Sequence, residues 1–379
     1  MALSPEVCIR GGGIVGRTLA LLLARERVRV ALVAPAADPR DDVRAYALNA
    51  ASKALLESLR AWPEAAHATA VREMQVDGDA GGRVRFDAGA QEVDALAWIV
   101  DVPALERRLA DAVRFQPQID IVDEPVAAAL TVVCEGKASA TREALGVSYD
   151  VTRYPQHAIA ARLEAERPHE GIARQWFDAR GEVLALLPLG GSPDSRALAL
   201  VWSVDQFRAP ELLAQDADGF TAALREATGD TLGALALTSE RASWPLQRAI
   251  ADRWIGRFPP SADGKPGKAW ALAGDAAHTV HPLAGQGLNL GLADAAALAD
   301  AVRSRDYWRS VGDARLLRRY ERARRTDVLS MSLATDGLQQ LFSHGAEPLP
   351  AIRNWGMRGF DRTQVLKRWI ARQAMGLHV

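Results

Sequence analysis

Short β-rich and apolar runs separated by glycines open the chain. The run Val7–Arg10 has the composition of a buried strand, residues 14–24 form an apolar-rich stretch of helical length, and residues 28–33 are again β-rich. A strand, a glycine turn, a helix and a second strand in this order predict a parallel βαβ unit. Arg10 is unusual in this pattern, because such a strand is normally apolar up to its glycine.

The glycine turn of this unit has the G-x-G-x-x-G spacing of a dinucleotide-binding site. Gly11 is expected to make the tight turn, and Gly13 to let a pyrophosphate approach the backbone. Gly16 is expected to allow close packing of the helix on the strand. The residues predicted to line the dinucleotide are Gly11, Gly13, Ile14, Val15 and Gly16.

The carboxylate that usually follows the second strand of such a unit is missing. Ala34 stands where Asp or Glu would hold a ribose hydroxyl. Asp38, Asp41 and Asp42 come later and would reach the site only through a loop that folds back. We expect a dinucleotide site with weakened adenosine recognition, and the alternative is a Rossmann unit that no longer binds.

A second candidate segment covers residues 270–292. An apolar run stops at Gly274 and Asp275, and a glycine-framed loop then leads into an alanine-rich helix expected to begin near Leu288. Asp275 can accept hydrogen bonds from sugar-type hydroxyls, and the helix N-terminus stabilises an anion by roughly 0.3–1 kcal/mol. The predicted cofactor contacts here are Gly274, Asp275, Pro282, Gly285, Gln286, Gly287, Leu288 and Asn289.

The run GDAAHTVHPLAGQGLNLGL in this segment resembles the flavin-binding segment of the class A aromatic hydroxylases, and most of all their ubiquinone-biosynthesis branch. Residues 135–142 resemble a second family fingerprint, D-G-x-x-S-x-x-R, with Glu135 in place of Asp. The chain before this fingerprint leaves little room for the β-meander usually found there. This is a second sign that the adenosine half of the site is shortened.

Two arginines are further cofactor candidates. Arg44 matches an arginine that the family places near the flavin, and Arg107 is a candidate to face the pyrophosphate. A solvated position is the alternative for both. Arg107 lies on a predicted helix for which Asp101 is the expected N-cap and Pro103 is close to the first turn.

Between about residues 147 and 268 the pattern changes to alternating strands, for example at residues 173–177, 183–189 and 197–204. With the resemblance, this predicts an α/β protein in three parts. A Rossmann-type FAD-binding domain, glutathione-reductase-like and para-hydroxybenzoate-hydroxylase-like, takes residues 1–68, 100–146 and 269–312. An interleaved β-rich substrate domain takes residues 69–99 and 147–268, and a helical C-terminal region takes residues 313–379. The aromatic candidates for a substrate pocket are Trp176, Phe177, Trp202 and Trp244, although large aromatics in strands are more often core residues.

The composition fits a soluble globular protein, with 49% hydrophobic and 25% charged residues. A formal net charge of −1 argues against a nucleic-acid partner. Because no apolar run approaches the ~20 residues that span a bilayer, we expect a cytoplasmic protein with peripheral contact at the inner membrane surface. Several arginines between residues 315 and 325 form either a solvated helix face or a contact for anionic lipid or an acidic partner.

The resemblance implies bound FAD, NAD(P)H as a transient co-substrate, O2, and hydroxylation of the aromatic ring of a prenylated phenol in ubiquinone biosynthesis. Since the cofactor carries the chemistry, no catalytic side chain and no metal site are predicted. His278 and His281 are expected to be structural. The alternatives are a flavin monooxygenase of another small aromatic substrate and a non-catalytic accessory protein of the biosynthetic complex.

Overall fold

The computed structural model describes residues 4–34, 42–78, 82–260, 264–280 and 286–343, with the side chains of Gln286 and residues 331–343 excepted. Its strands are β1 (Val7–Arg10), β2 (Val30–Val33), β3 (Ala45–Leu48), β4 (Ala68–Val71), β5 (Glu73–Asp77), β6 (Arg83–Asp87), β7 (Ala97–Asp101), β8 (Ile119–Val122), β9 (Leu130–Val133), β10 (Tyr149–Ala165), β11 (Ile172–Phe177), β12 (Val183–Pro188), β13 (Ala197–Asp205), β14 (Leu235–Leu237), β15 (Ala242–Ala251), β16 (Ile255–Arg257), β17 (Ala269–Leu272) and β18 (His278–Thr279). Its helices are α1 (Ile14–Arg25), α2 (Ala50–Ser58), α3 (Val102–Arg114), α4 (Ala140–Ala144), α5 (Arg208–Ala214), α6 (Ala217–Thr228), α7 (Gln286–Arg303) and α8 (Ala314–Ser343), with short 3₁₀ turns at Ala65–His67, Gly89–Gln91 and Gly274–Ala276.

A parallel sheet carries the predicted dinucleotide-binding half. Its strand order is β16-β17-β9-β1-β2-β8, and all pairs are parallel except β16 with β17. Every residue of β2, β9 and β17 is buried, which explains why these strands are continuous apolar runs in the sequence. Side chains from α1, α3, α7 and α8 complete the main core on one face. The predicted βαβ unit is confirmed, with β2 starting at Val30 rather than Val28.

Two glycines of the first turn are required by the fold itself. Gly11 has a φ of +118°, and a Cβ there would lie 2.4 Å from the carbonyl oxygen of Cys134. A Cβ on Gly16 would lie 1.9 Å from the carbonyl oxygen of Gly11, so α1 could not approach β1 with any other residue at this position. The tight turn and the close packing predicted for these glycines are both confirmed.

The shortened connection predicted before residue 136 is also confirmed. Between α3 and β9, a stretch described throughout, the chain forms only β8 at the edge of the parallel sheet. Asp101 is the N-cap residue of α3 and Pro103 lies in its first turn, as predicted, but the Asp101 side chain makes no hydrogen bond to the helix. Its Oδ1 instead accepts a 2.8 Å hydrogen bond from Arg162, which also donates to the Arg44 carbonyl oxygen at 2.7 Å. Asp101 therefore joins the β7–α3 junction to the long strand β10.

The predicted alternating strands form a large, mainly antiparallel sheet. Its order is β18-β15-β10-β13-β12-β11-β5-β6, with β14 also paired to β10. The three example strands match β11, β12 and β13 to within one residue at each end. Trp202 of β13 is 2% exposed and packs against Phe220 of α6, with ring centroids 6.1 Å apart. The structure thus places Trp202 in the core rather than in a substrate pocket.

A small antiparallel sheet, β3-β7-β4, connects the two larger sheets. Val71 of β4 and Ile99 of β7 are buried together with Ala173 and Ala199 of the large sheet. The chain therefore crosses between the two halves through packed apolar contacts. None of the helices in the described ranges is both long enough and apolar enough to cross a membrane.

Candidate cofactor-binding site

The predicted cofactor residues meet at the turn that follows β17. Gly274 has a φ of +63°, and a Cβ there would lie 3.3 Å from Cγ2 of Val15. A Cβ on Gly291 of α7 would lie 2.8 Å from the same methyl group. Helices α1 and α7 therefore cross in close contact beside this turn. The turn is thereby brought beside α1, although the two are far apart in sequence.

Two glycines of the predicted site, Gly13 and Gly287, make no close packing contact with the described residues. Gly13 is the N-cap of α1 and is exposed, and Gly287 lies in the first turn of α7. No described atom lies within 4 Å of a Cβ built on either residue. Their φ angles lie outside the region that favours glycine, so the backbone conformation does not require glycine at either position. Unpaired N–H groups of a helix N-terminus suit an anionic or polar partner at such a position.

Asp275 supplies a carboxylate between these helix ends. It is half-buried, and burial raises its pKa above the ordinary value against the opposing effects of Lys137, His278 and Arg44. Within the described residues its carboxylate accepts no hydrogen bond. It is therefore available to a hydroxyl donor, as predicted for a sugar-type group.

Arg142 of the motif at residues 135–142 helps to hold the Gly274–Ala276 turn in place. Arg142 is 3% exposed and donates to the carbonyl oxygens of Ala276, at 3.3 Å, and Lys137, at 2.8 Å. Its guanidinium carbon lies 3.8 Å from the ring centroid of Tyr149, a cation–π contact. The Tyr149 hydroxyl in turn donates to the Asp275 carbonyl oxygen at 2.8 Å. The motif positions the turn through protein contacts.

Tyr149 is a site residue that the sequence did not reveal. Burial raises the pKa of its hydroxyl to about 12, so this group remains a neutral hydrogen-bond donor at physiological pH. The residue opens β10, a strand of the other half of the chain. No local motif marks it, because its role depends on where β10 passes the turn.

Glu135, which stands where the family motif has Asp, is bound by several hydrogen-bond donors. Its carboxylate accepts hydrogen bonds from the Ser139 hydroxyl at 2.7 Å, and from the Thr141 backbone N–H and hydroxyl at 3.1 and 2.5 Å. The Nε of Arg10 donates to it at 2.9 Å. Burial acts to raise its pKa, but the bonds from Thr141 and Ser139 outweigh this effect and hold the pKa below the ordinary value. Glu135 is therefore an ionised cap of α4.

Asp294 anchors the turn from α7, and sequence reasoning missed it. One carboxylate oxygen accepts the Gly274 N–H at 2.9 Å and lies 2.6 Å from Nε2 of His278. The other accepts a hydrogen bond from Nε of Arg324 on α8 at 2.7 Å. Asp294, His278 and Arg324 are all buried. Burial raises the pKa of Asp294, but His278 and Arg324 together hold it below its ordinary value.

The structural role expected for His278 agrees with this arrangement. Its ring stacks on Trp254, with centroids 5.0 Å apart, and its Nδ1 has no partner among the described atoms. The signal that could have revealed Asp294 is an acid in the middle of an alanine-rich apolar helix, since a buried carboxylate requires partners.

The two candidate arginines have different surroundings. Arg44 is bound to Asp42 through Nε, at 2.8 and 3.0 Å, and through NH2 at 2.5 Å. Asp42, which was considered as a ribose acceptor, is therefore paired with Arg44. Arg107 is exposed on α3 and has no hydrogen bond to the described residues. Among the described residues, the surroundings of Arg107 match the solvated alternative.

The side chain of Asn289 faces the protein rather than open space. Its Oδ1 accepts hydrogen bonds from the Asn49 N–H at 3.0 Å and the Ser52 hydroxyl at 2.7 Å, and its Nδ2 donates to the Ala47 carbonyl oxygen at 2.8 Å. Asn289 thus fastens α7 to the β3–α2 junction, close to Arg44 in sequence.

The remaining predicted contacts are placed as follows. Ile14 is buried in the core, and Leu288 packs against that core while remaining partly accessible. Gln286 begins α7, two residues before the predicted start. Pro282 and Gly285, together with His281, lie outside the described residues.

The arrangement fits an extended dinucleotide with a polar ring system. Open backbone at Gly13 suits a pyrophosphate at one helix N-terminus, Asp275 suits hydroxyls at the middle, and Gly287 suits a polar ring edge at the second N-terminus. The parallel sheet with this site at the carboxyl ends of its strands defines a dinucleotide-binding flavoprotein fold.

The comparison with protein families supports this class. The model of the FAD binding domain matches residues 4–124 and 112–331. The chain is 32% identical to the ubiquinone hydroxylase UbiL of Rhodospirillum rubrum over 98% of its own length and 89% of that protein. It is 30% identical to the 3-demethoxyubiquinol 3-hydroxylase of Escherichia coli over 98% of both chains. The chain therefore belongs to the FAD-binding class A flavin monooxygenases, in the branch of the ubiquinone-biosynthesis hydroxylases.

Solved structures show the same fold. The p-nitrophenol 4-monooxygenase of Pseudomonas putida aligns with a TM-score of 0.76 at 18% identity, covering 100% of both chains. A variant of Klebsiella pneumoniae HpxO in complex with FAD aligns with a TM-score of 0.72 at 16% identity, covering 99% of each chain. At these identities the likeness establishes the fold alone.

Proposed function

We propose that this protein is an FAD-dependent monooxygenase that hydroxylates the aromatic ring of a prenylated phenol in ubiquinone biosynthesis, with NAD(P)H and O2 as co-substrates. The observation that carries the proposal is the pair Gly13 and Gly287. Both lie at helix N-termini, and no described atom lies within 4 Å of a Cβ built on either of them. The Asp275 carboxylate likewise accepts no hydrogen bond within the described residues. The full-length similarity to ubiquinone hydroxylases supports the reaction.

The residues have separate roles in this proposal. Gly11 and Gly16 shape the first turn, Gly13 admits the pyrophosphate, Asp275 accepts ribityl hydroxyls, and the α7 N-terminus at Gly287 faces the flavin ring. Bound FAD supplies the redox and oxygen-transfer chemistry. The other proposed contacts are Ile14, Val15, Arg44, Arg107, Gly274, Pro282, Gly285, Gln286, Leu288 and Asn289.

The role of the protein itself is to position the groups that contact the cofactor. The buried contacts of Arg142, Tyr149 and Asp294 fix the Gly274–Ala276 turn, so the acceptor at Asp275 is preorganised before the cofactor binds. We also propose the domain division given by the sequence, with residues 69–99 and 147–268 as the substrate half.

The proposed substrate has a consequence for location. A prenylated phenol partitions into bilayers, and we therefore propose that the protein works in the cytoplasm and at the inner membrane surface as a peripheral protein, in contact with other members of the biosynthetic pathway. Alternative substrates are smaller soluble phenols. The absence of a carboxylate at Ala34 favours a third candidate, an accessory protein without catalysis.

Purified protein separates these functions. Flavin absorbance with NADPH oxidation stimulated by a prenylated phenol, and an added ring oxygen in the product, support the proposal. Turnover of simple phenols alone supports the second candidate. Protein that binds no flavin, or flavin that NADPH does not reduce, supports the accessory role and rejects the proposal.

A further inference from the structure

Tyr307 and Trp308 form an exposed aromatic pair in the loop between α7 and α8. Their side chains are 93% and 67% exposed, and their rings meet edge to face with centroids 4.9 Å apart. Each such ring could bury ~150–250 Å² in a core, so their exposure side by side requires a reason. Tyr and Trp are the residues enriched at membrane–water interfaces, because each combines an apolar ring with a polar group.

The pair is held next to the start of α8. Arg309, which follows Trp308, forms an ion pair of 3.2 Å with Asp313. Asp313 caps α8 by accepting the Arg315 N–H at 2.8 Å. The aromatic rings are thus at a defined position beside the first turn of the helix.

One exposed face of α8 is basic. Arg315, Arg319 and Arg322 follow each other at spacings of four and three residues, which places them on one side of the helix, with Arg318 beside them. All four side chains are exposed, and none forms an ion pair with a described residue. Exposed Leu329 continues the same side.

The two acids of this helix whose side chains are described are already paired. Between residues 314 and 330 the sequence has six arginines against two acids, although the whole chain has a formal net charge of −1. Glu321 accepts the Trp254 N–H and pairs with Arg325, and Asp327 pairs with Arg324. The four exposed arginines therefore present uncompensated positive charge.

We propose that Tyr307, Trp308 and the face formed by Arg315, Arg318, Arg319 and Arg322 are a docking surface for an anionic lipid bilayer. The inference deepens the proposed function and rests on it, because a prenylated substrate is dissolved in membranes. Basic side chains attract the phosphate headgroups, and the aromatic pair supplies the second, apolar signal that stable but reversible binding requires. Among the described side chains of this surface, the large exposed apolar groups are the two rings and Leu329, which is small against the ~800 Å² that each partner contributes to a typical protein interface.

The test uses the full-length protein and vesicles of phosphatidylcholine with or without phosphatidylglycerol, in a sedimentation assay. We expect binding to the anionic vesicles only. Arg315→Gln/Arg319→Gln/Arg322→Gln should bind them about 100-fold more weakly, because each basic residue near an anionic surface contributes roughly fivefold. The matched control Arg72→Gln/Arg114→Gln/Arg196→Gln removes the same charge from three exposed arginines elsewhere and should bind like the wild type.

A spectroscopic readout locates the contact. Anionic vesicles should shift the tryptophan emission of the wild type to shorter wavelength, and Trp308→Phe should lose that shift while the protein remains folded. Equal binding by the two triple variants, no binding by the wild type, or an unchanged shift in Trp308→Phe would each overturn the proposal. So would capture by a polyglutamate resin without binding to vesicles, which would indicate an acidic protein partner.

The proposed function is tested separately, by NADPH-dependent hydroxylation of a short-chain prenylated phenol in detergent without vesicles. The triple variant should retain this activity, since its arginines lie outside the cofactor site. Loss of vesicle binding with retained hydroxylation supports the surface. Failure of hydroxylation in the wild type would reject the function and leave the vesicle result to decide the surface.

Discussion

Arg10 and Glu135 are partners: Nε of Arg10 lies 2.9 Å from Oε1 of Glu135. Each residue on its own departs from the pattern of the family, one as a charge at the end of a buried strand and the other as a longer acid. In the structure, adjacent parallel strands β1 and β9 end side by side, so the two departures meet and compensate each other. The altered motif is thus an intact structural element.

This pairing predicts a pH-dependent contribution to stability. The pKa of Glu135 is lower in the folded protein than in the unfolded chain, so its contribution is full above the ordinary Glu pKa, about 4.3, and is lost as pH falls further. Glu135→Gln should cost about 1.5–3 kcal/mol at pH 7, the usual contribution of a hydrogen bond to a charged group. Urea unfolding should show this gap closing below about pH 4.3. Glu143→Gln, at an exposed position of α4, is the control, and a pH-independent gap would contradict the prediction.

Replacing Gly13 should weaken FAD binding, whereas replacing Gly16, three residues later, should lower the stability of the fold. Gly13→Val places its side chain in open space, so the protein should fold with unchanged circular dichroism but lose most of its FAD. Gly16→Ala forces a Cβ into the Gly11 carbonyl group and should lower the free energy of unfolding strongly. Flavin absorbance per folded protein and thermal melting measure the two effects. Full flavin content in Gly13→Val would reject the pyrophosphate assignment.

The buried carboxylate of Asp294 should be essential for the turn. Asp294→Asn leaves Arg324 without its buried countercharge and weakens the hold on Gly274, so we expect a loss of about 3–5 kcal/mol in stability. Asp327→Asn removes the half-exposed partner of the same arginine and should cost at most about 1 kcal/mol. Denaturant titration of the apoproteins gives both values. FAD titration should show weaker binding in Asp294→Asn alone, and equal FAD affinities would mean that Asp294 does not position the turn.

The missing ribose carboxylate should be restorable at Ala34. This residue directly follows β2, and its backbone N–H donates to the Val122 carbonyl oxygen at 3.3 Å, as expected for the usual path of the chain. A charge-assisted hydrogen bond contributes about 1.5–3 kcal/mol, so Ala34→Glu should tighten FAD binding about tenfold or more. Fluorescence quenching of FAD by the apoprotein measures this, with Ala34→Gln as the uncharged control. An affinity no better than that of the control would show that the adenosine is bound in another way.

The sequence alone determined the elements whose pattern is set by local burial. The inner strands β2, β9 and β17 are nearly continuous apolar runs because both of their faces are covered. Strands β11, β12 and β13 were found from alternation and turns. The spacing of Gly11 and Gly16 was sufficient to define the first turn, because the steric demand arises within the βαβ unit.

The tertiary structure decided which polar side chains meet across long stretches of chain. Asp101 is the predicted N-cap residue of α3, but its side chain binds Arg162 of β10 rather than the helix, and Trp202 looked like a pocket candidate but fills the core. Tyr149, Arg142 and Asp294 come from three separate elements and converge on one turn. A buried hydrogen bond needs its partner within about 3 Å, and that distance is set by the packing of whole helices and strands, which no local pattern of residues encodes.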